Sequence, residues 1–379
     1  MKKVAVGIPT LNEEDTIALT TAIIDNGLAS FFNDWQCFIV NADNCSQDGT
    51  KKKFLSAKTS CKKVYISSRE GETGKGLNLI NFFRFCRDND IDCAATIDSD
   101  ISTISKDWVE KLISPIANNR SDYITPLYAR SRFEGSTTNH FAFPFIATFF
   151  GKNIRQPIGG EFSFNRKFIE YCLSKPIFSE ATQYGIDIYM TTHALGGGFR
   201  VNEVFLGRKF HKPSFSKIVP MFKQVFASAI QTISCYGIDY APKGVLSSEK
   251  NICIDNDNEF KHESKIKELT DLSQKLFANN ESLYTNYGLS NCQLVMQKIS
   301  SGSFVSMNDW GEILSDFFVL IRANKRHDPM VLAELIAPIF FLRTIAFWLE
   351  IKHEEPSAIE LMLTNQAELI RSKTWEKLV

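Results

Sequence analysis

Short apolar runs alternate with longer stretches of helical periodicity through the first half of the chain. Val4–Ile8, Cys37–Asn41, Val64–Ser67, Cys93–Asp98 and Tyr123–Leu127 are rich in β-branched and small apolar residues, which predicts strands. Between them, Asp15–Ile24, Gly76–Cys86 and Trp108–Ile116 place apolar residues on one helical face. Strands alternating with helices imply βαβ units and an α/β fold with a mostly parallel, Rossmann-like sheet. After Leu127 the pattern is irregular: an apolar stretch at Phe141–Phe150, a turn at Gly159-Gly160, a helix over Gly185–Leu195 and a last short strand at Val201–Leu206. From about Phe215 the reading is helical, with Val219–Ile233 and Ile313–Ile321 at helical spacing and a polar, acid-rich connection at Ser247–Lys265. The expected division is an α/β domain over 1–214 and a helical domain or extension over 215–379.

Val331–Ile351 is the most apolar late stretch, but it carries Glu334, Arg343 and Glu350 and contains Pro338. Ionisable residues are costly in hydrocarbon, so a buried helix is expected rather than a transmembrane segment. At the amino terminus about five apolar residues precede Pro9, short of the about 7–15 that an export signal needs.

Composition narrows the chemistry. The chain has 379 residues, with 43 basic side chains against 43 acidic. Without a net positive field, nucleic acid is not the expected partner, and small molecules are. Nine cysteines, scattered and never in a C-x-x-C pair, indicate neither a disulfide framework nor a zinc knuckle and fit a reducing cytoplasm.

In such a sheet ligands bind beyond the carboxyl ends of the strands. Three loops there hold unusual residues. Asp98-Ser99-Asp100 leaves the fourth strand, Pro9-Thr10-Leu11-Asn12-Glu13-Glu14 leaves the first, and Asp43-Asn44-Cys45-Ser46-Gln47-Asp48-Gly49-Thr50 leaves the second. The acidic pair has two readings at this point. It is a solvated turn before the helix at Trp108, or it supplies carboxylate oxygens to a hard divalent cation that takes its other ligands from phosphate and water. The other two loops read alone as turn and helix-cap chemistry.

Taken together and in this order, the three motifs resemble those of GT-A-fold nucleotide-sugar glycosyltransferases. Gly74-Lys75-Gly76, Gln156-Pro157-Ile158-Gly159-Gly160-Glu161, Tyr184-Gly185-Ile186-Asp187 and Leu206-Gly207-Arg208-Lys209-Phe210-His211-Lys212-Pro213 narrow the resemblance to the retaining glucosyl-3-phosphoglycerate and mannosylglycerate synthases, over about residues 3–215.

The resemblance implies a glucose or mannose donor in nucleotide-diphosphate form, a small anionic acceptor such as 3-phosphoglycerate or glycerate, and Mg²⁺ or Mn²⁺ held by Asp100 and His211. It implies that Pro9, Leu11, Glu13, Asp43 and Asn44 hold base and ribose, that Lys75 contacts the nucleotide part, and that Asp98, Ser99 and Gly160 complete the donor site. Glu161 is expected to accept hydrogen bonds from the sugar, and Asp187, with Asp100, to serve catalysis. Arg130, Arg132, Thr137 and Thr138 lie in a basic, hydroxyl-rich loop after the fifth strand, which suits a carboxylate or phosphate as well as it suits solvent. Phe210 stands where these families carry a small residue, and Arg132-Phe133-Glu134-Gly135-Ser136-Thr137 replaces their glycine-rich stretch. Other acceptors, saccharide or lipid-linked, therefore stay open, as does a non-catalytic nucleotide-sugar binder. A sugar nucleotidyltransferase would need a Gly-rich loop after strand one, which this chain lacks. The helical part is a candidate homodimer surface.

Overall fold

The computed structural model describes residues 1–210, 217–238, 242, 244, 246, 263–300, 303–322 and 327–378. The expected ligand His211 and nearly all of the expected connection Ser247–Lys265 lie outside the described residues.

The α/β part runs β1 (Lys3–Thr10), α1 (Ile17–Phe31), β2 (Gln36–Asp43), α2 (Thr50–Ser56), β3 (Lys62–Ser67), α3 (Lys75–Asp88), β4 (Cys93–Thr96), α4 (Lys106–Ala117), β5 (Tyr123–Ala129), then, after α5 (Phe143–Phe150), β6 (Phe162–Asn165), α6 (Arg166–Leu173), α7 (Ile186–Gly196) and β7 (Val201–Arg208). The strands form one sheet in the order β3-β2-β1-β4-β6-β5-β7. β1 pairs in parallel with β2 and β4, β2 in parallel with β3, and β6 runs antiparallel to β4 and β5.

Both faces of the sheet are covered, and the strand period of two explains how. Val4, Val6, Ile8 and Ile39 pack with α1 and α4 on one face, through Ile24, Leu28, Trp108 and Leu112. Ala5, Phe38 and Val40 pack on the other, with Phe82, Phe83, Phe168 and Tyr189 of α3, α6 and α7. A strand buried on both sides needs a continuous apolar run, which is what Val4–Ile8 supplies. β1 lies between β2 and β4. The loops leaving β1 and β4 therefore lie side by side at the carboxyl ends of adjacent parallel strands, where α/β sheets bind their ligands.

The helical part comprises α5, α8 (Ile218–Ile233), α9 (Glu263–Ala278), α10 (Glu281–Asn286), α11 (Ser290–Ser300), α12 (Met307–Arg322), α13 (Pro329–Ile351) and α14 (Pro356–Leu378). α13 packs on α8 and α9, and α14 on α5 and α12. α13 is long and apolar enough to cross a membrane, but 83% of its apolar window is buried within the protein. Its ionisable residues are paired: Arg343 with Glu350 at 2.7 Å, and Glu334 with Lys223 of α8 at 3.2 Å.

The chain divides into two compact units, 1–128 with 156–216 and 129–155 with 217–379. Residues 129–155 thus belong to the helical unit rather than to the α/β one. The reason is the composition of α5, in which Phe143, Pro144, Phe145, Ile146, Ala147, Thr148 and Phe149 are all buried. A helix apolar all round needs neighbours on every side.

Candidate active site

The loops after β1 and β2 interlock. Asp43, at the end of β2, is 1% exposed. Its Oδ1 accepts from Thr10 Oγ1 (2.7 Å) and Ser46 Oγ (2.6 Å), and its Oδ2 from the Ser46 N–H (2.7 Å) and Tyr65 Oη (2.9 Å). Burial, then the carboxylate it donates to, pushes the Tyr65 phenol up to about 12, so it stays a donor. Residue by residue the first loop then grips the second. Asn12 N–H donates to Ser46 Oγ and its side-chain oxygen accepts from Gln47 N–H; Glu13 N–H donates to Thr50 Oγ1; Glu14 N–H donates to Asp48 Oδ2 and Glu14 Oε2 accepts from Gly49 N–H. Asn44 is buried and is tied by its N–H to the Thr10 carbonyl. Much of the polar chemistry of the two motifs is thus internal scaffolding. Of the five residues expected to hold base and ribose, Asp43 has all four lone-pair positions filled by the protein, Leu11 is exposed and Pro9 and Glu13 are half-buried.

Beyond β4 and β6 lies a cluster of charges. Gly74 and Gly76 let the start of α3 press against the turn at Glu180–Thr182: a Cβ on Gly74 would meet the Thr182 carbonyl oxygen at 2.2 Å, and one on Gly76 the Ala181 carbonyl oxygen at 1.9 Å. That seating fixes Lys75, whose Nζ lies 2.9 Å from Asp98 Oδ2. Burial disfavours the Lys75 ammonium, but Asp98, Asp187 and Glu161 outweigh it and hold its pKa above the ordinary value. Lys209, just past β7, reaches Glu161 Oε2 (2.6 Å), the Gly159 carbonyl (2.7 Å) and, at 3.7 Å, Asp98 Oδ2. Gly160, at φ 95°, sits among these groups, and a Cβ there would lie 2.5 Å from Asp98 Oδ2 and 3.2 Å from Lys75 Nζ. Only glycine leaves the two cations and the carboxylate room.

Glu161 departs from its expected role. It is fully buried, and it accepts from Tyr128 Oη, from Lys209 Nζ and from the Asp98 N–H (3.2 Å). Burial raises its pKa despite Lys209. It holds Lys209 and the Asp98 backbone rather than presenting a carboxylate to a sugar. Asp187, in the first turn of α7, is built differently. Its Oδ2 accepts from the N–H groups of Gly159 (3.2 Å) and Gly160 (3.0 Å), while its buried Oδ1 has no hydrogen-bond partner among the described residues. Burial raises its pKa too, against the pull of Lys75. A buried acceptor left without a donor costs about 1–3 kcal/mol, a cost that a bound hydroxyl removes.

Asp100 is half-buried, and no hydrogen bond or ion pair engages it among the described residues. No group of three His, Cys, Asp or Glu side chains that could hold a metal occurs among them either. Ser99 is buried, and its carbonyl accepts from Thr20 Oγ1 of α1.

Residues 5–171, from β1 into α6, match the family described as Glycosyl transferase family 2. They form a glycosyltransferase domain. A nucleotide-sugar glycosyltransferase, the enzyme class the motifs imply, is the one this domain carries. A search of curated proteins finds no match. Among solved structures, glucosyl-3-phosphoglycerate synthase of Mycobacterium tuberculosis in complex with Mn²⁺, UDP-glucose and phosphoglyceric acid superposes with a TM-score of 0.50 and 22% identity, over 62% of this chain and 80% of that one. The same enzyme with Mn²⁺, UDP and phosphoglyceric acid gives 0.50 and 21%, over 61% and 78%. A further mycobacterial protein gives 0.50 and 23%, over 62% and 75%. At these identities the likeness establishes the GT-A fold.

The α/β unit thus gathers Lys75, Asp98, Gly160, Glu161 and Asp187 around one point. Lys209 and Tyr128 join them without having been singled out. Their only sequence signal was position: Lys209 lies two residues before His211, and Tyr128 directly follows the expected strand Tyr123–Leu127. The residues expected at the acceptor belong to the helical unit. Arg132 is buried and donates to the carbonyls of Ile351 (3.2 Å) and Glu354 (2.8 Å). It therefore satisfies the orphan carbonyls where α13 ends. Thr138 is buried in a π-helical turn, while Arg130 and Thr137 are half-buried.

Proposed function

We propose that the domain transfers a hexose, glucose or mannose, from a nucleotide-diphosphate donor to a small anionic acceptor such as 3-phosphoglycerate or glycerate, with retention of configuration. The observation that carries this reading is the charge set around Gly160, with its two ammonium groups and one buried carboxylate oxygen that has no donor among the described residues. Lys75 and Lys209 would hold the anionic part of the donor. Glu161 and Tyr128 would keep Lys209 in place, and Asp187 Oδ1 would accept a substrate hydroxyl while Oδ2 keeps the Gly159-Gly160 backbone fixed. In a front-face route no strong base is required, because the departing phosphate oxygen can take the acceptor's proton.

Charge balance bears on the metal. When ionised, Asp98, Glu161 and Asp187 outnumber Lys75 and Lys209 by one negative charge, and a diphosphate adds more. Such a site accepts a donor more readily if a cation enters with it. The Asp100 carboxylate, uncommitted among the described residues, is a hard oxygen ligand of the kind Mg²⁺ or Mn²⁺ prefers, and these ions take few ligands from protein when phosphate is present. The residues therefore fit a divalent ion held by Asp100, with His211 as the second proposed ligand. When bound, such an ion supplies positive charge to the leaving diphosphate.

The solved relative's complex contains UDP-glucose and phosphoglyceric acid, which makes those two compounds the first pair to test. Incubating the protein with labelled UDP-glucose or GDP-mannose, Mn²⁺ and either 3-phosphoglycerate or glycerate should give a labelled product with one of the anions. Donor turnover with neither acceptor, but with an oligosaccharide or lipid-linked acceptor, would overturn the small-acceptor assignment.

A further inference from the structure

A second chemical feature lies at the opposite end of the strands from the charge cluster. β2 and β3 are parallel with Phe38 opposite Lys62, so Cys37 and Cys61, each one residue upstream, face each other at the amino ends of the two strands. Both side chains lie on the sheet face covered by α1 and α4 and pack at the margin of the same apolar cluster. Both thiols are free and partly exposed, and β3 is the edge strand of the sheet. The Cys37 thiol donates to the carbonyls of Phe32 (3.3 Å) and Trp35 (3.6 Å); the neighbouring Cys61 thiol holds the Cys37 pKa below the usual thiol value, and Cys37 in turn pushes that of Cys61 up. Asp25 and Asp34 oppose this at Cys37, and Asp25 Oδ1 also fixes the Cys61 N–H at 2.8 Å. Adjacent strands lie about 4.8 Å apart, and disulfides span Cα separations of about 4.4–6.8 Å.

We propose that Cys37 and Cys61 are a redox-modification site: a dithiol that closes to a cross-strand disulfide when it meets a soluble disulfide such as oxidised glutathione. The Cys37 thiolate attacks one sulfur of the oxidant; that S–S bond breaks, one glutathione thiolate leaves, and a mixed disulfide remains on Cys37. The Cys61 sulfur then attacks the Cys37 sulfur, gives up its proton and expels the second glutathione thiolate. Two protein thiols are oxidised to one disulfide, and the oxidant is reduced to two thiols. The bond would pin the edge strand to β2 at the end remote from the donor loops. It would therefore change stability before activity, and it does not depend on the proposed reaction.

The test is to treat the full chain with oxidised glutathione, alkylate the remaining thiols and map the peptides. A cross-link between Cys37 and Cys61, removed by dithiothreitol, with a raised Tm before its removal, is expected. Cys37→Ser should lose the cross-link and leave Cys61 as thiol or glutathione adduct. The exposed Cys235 serves as an internal reference in the unaltered chain, whatever the folding of the variant. If Cys235 is modified while Cys37 and Cys61 are both recovered separately alkylated, or if either is cross-linked elsewhere, the proposal is overturned.

Discussion

The interlocked loops after β1 and β2 and the charge cluster beyond β4 and β6 are both built from motif residues, but they are saturated to different degrees. In the loops, Asp43 accepts four hydrogen bonds, and Asn12, Glu13 and Glu14 each meet a partner in the second loop. In the cluster, Glu161 is held by three donors, while Asp187 keeps one buried oxygen unmatched and Asp100 is uncommitted among the described residues. Where a polar network closes on itself, it specifies shape; where it is left open in a buried place, it awaits a ligand. On the proposed reading, the saturated motif residues build the crevice and the open ones act in it.

Replacement of the open residue should produce the largest effect. Asp187→Ala should lower kcat by about 10²–10³-fold, the scale of losing one preorganised polar contact to the reacting groups, with nucleotide affinity changed only a few-fold. A kcat within threefold of the unaltered enzyme would move Asp187 to the saturated side of the comparison.

Asp43→Asn should do the reverse. It discards the charge behind four hydrogen bonds, each typically worth about 1.5–3 kcal/mol when an ion is involved, although the amide retains part of them. The expected outcome is a lower midpoint in urea with near-normal KM for the donor in the folded fraction. If donor KM rises more than tenfold at unchanged stability, Asp43 reads the base after all.

The smallest effect concerns pH. Burial raises the pKa values of Glu161 and Asp187, so the folded protein keeps protons that the unfolded chain loses above a carboxylate pKa of about 4. The stability these groups contribute is complete below that pH and is lost as pH rises through the raised values. Glu161→Gln removes one such group, so the stability gap between variant and parent should move in the variant's favour as pH rises from about 4. A gap constant with pH would show that Glu161 ionises as an ordinary carboxylate.

The sequence made the parallel half of the sheet legible because strands buried on both faces have continuous apolar runs, as in Val4–Ile8. It hid β6, whose four residues Phe162–Asn165 alternate aromatic and polar beside a Gly-Gly turn. It also hid α2, where Lys51, Lys52 and Lys53 mask any apolar period. At the site, Lys75, Asp98, Gly160, Glu161 and Asp187 could be named from motifs, but whether each is saturated could not, because saturation depends on partners as remote as Tyr128 and Lys209. Arg132 shows the same limit: a basic loop residue reads as an anion ligand until the end of a helix is found against it.

The central claim is that the charge cluster receives the diphosphate of a nucleotide sugar together with a divalent ion. Isothermal titration of UDP and GDP into the protein, with Mn²⁺ and with chelator, tests it directly. One of the two nucleotides should bind with Mn²⁺ and about tenfold or more weakly without it, and Lys75→Ala should weaken that binding by a similar factor. Heat signals absent for both nucleotides, or binding indifferent to Mn²⁺ and to Lys75→Ala, would contradict the account.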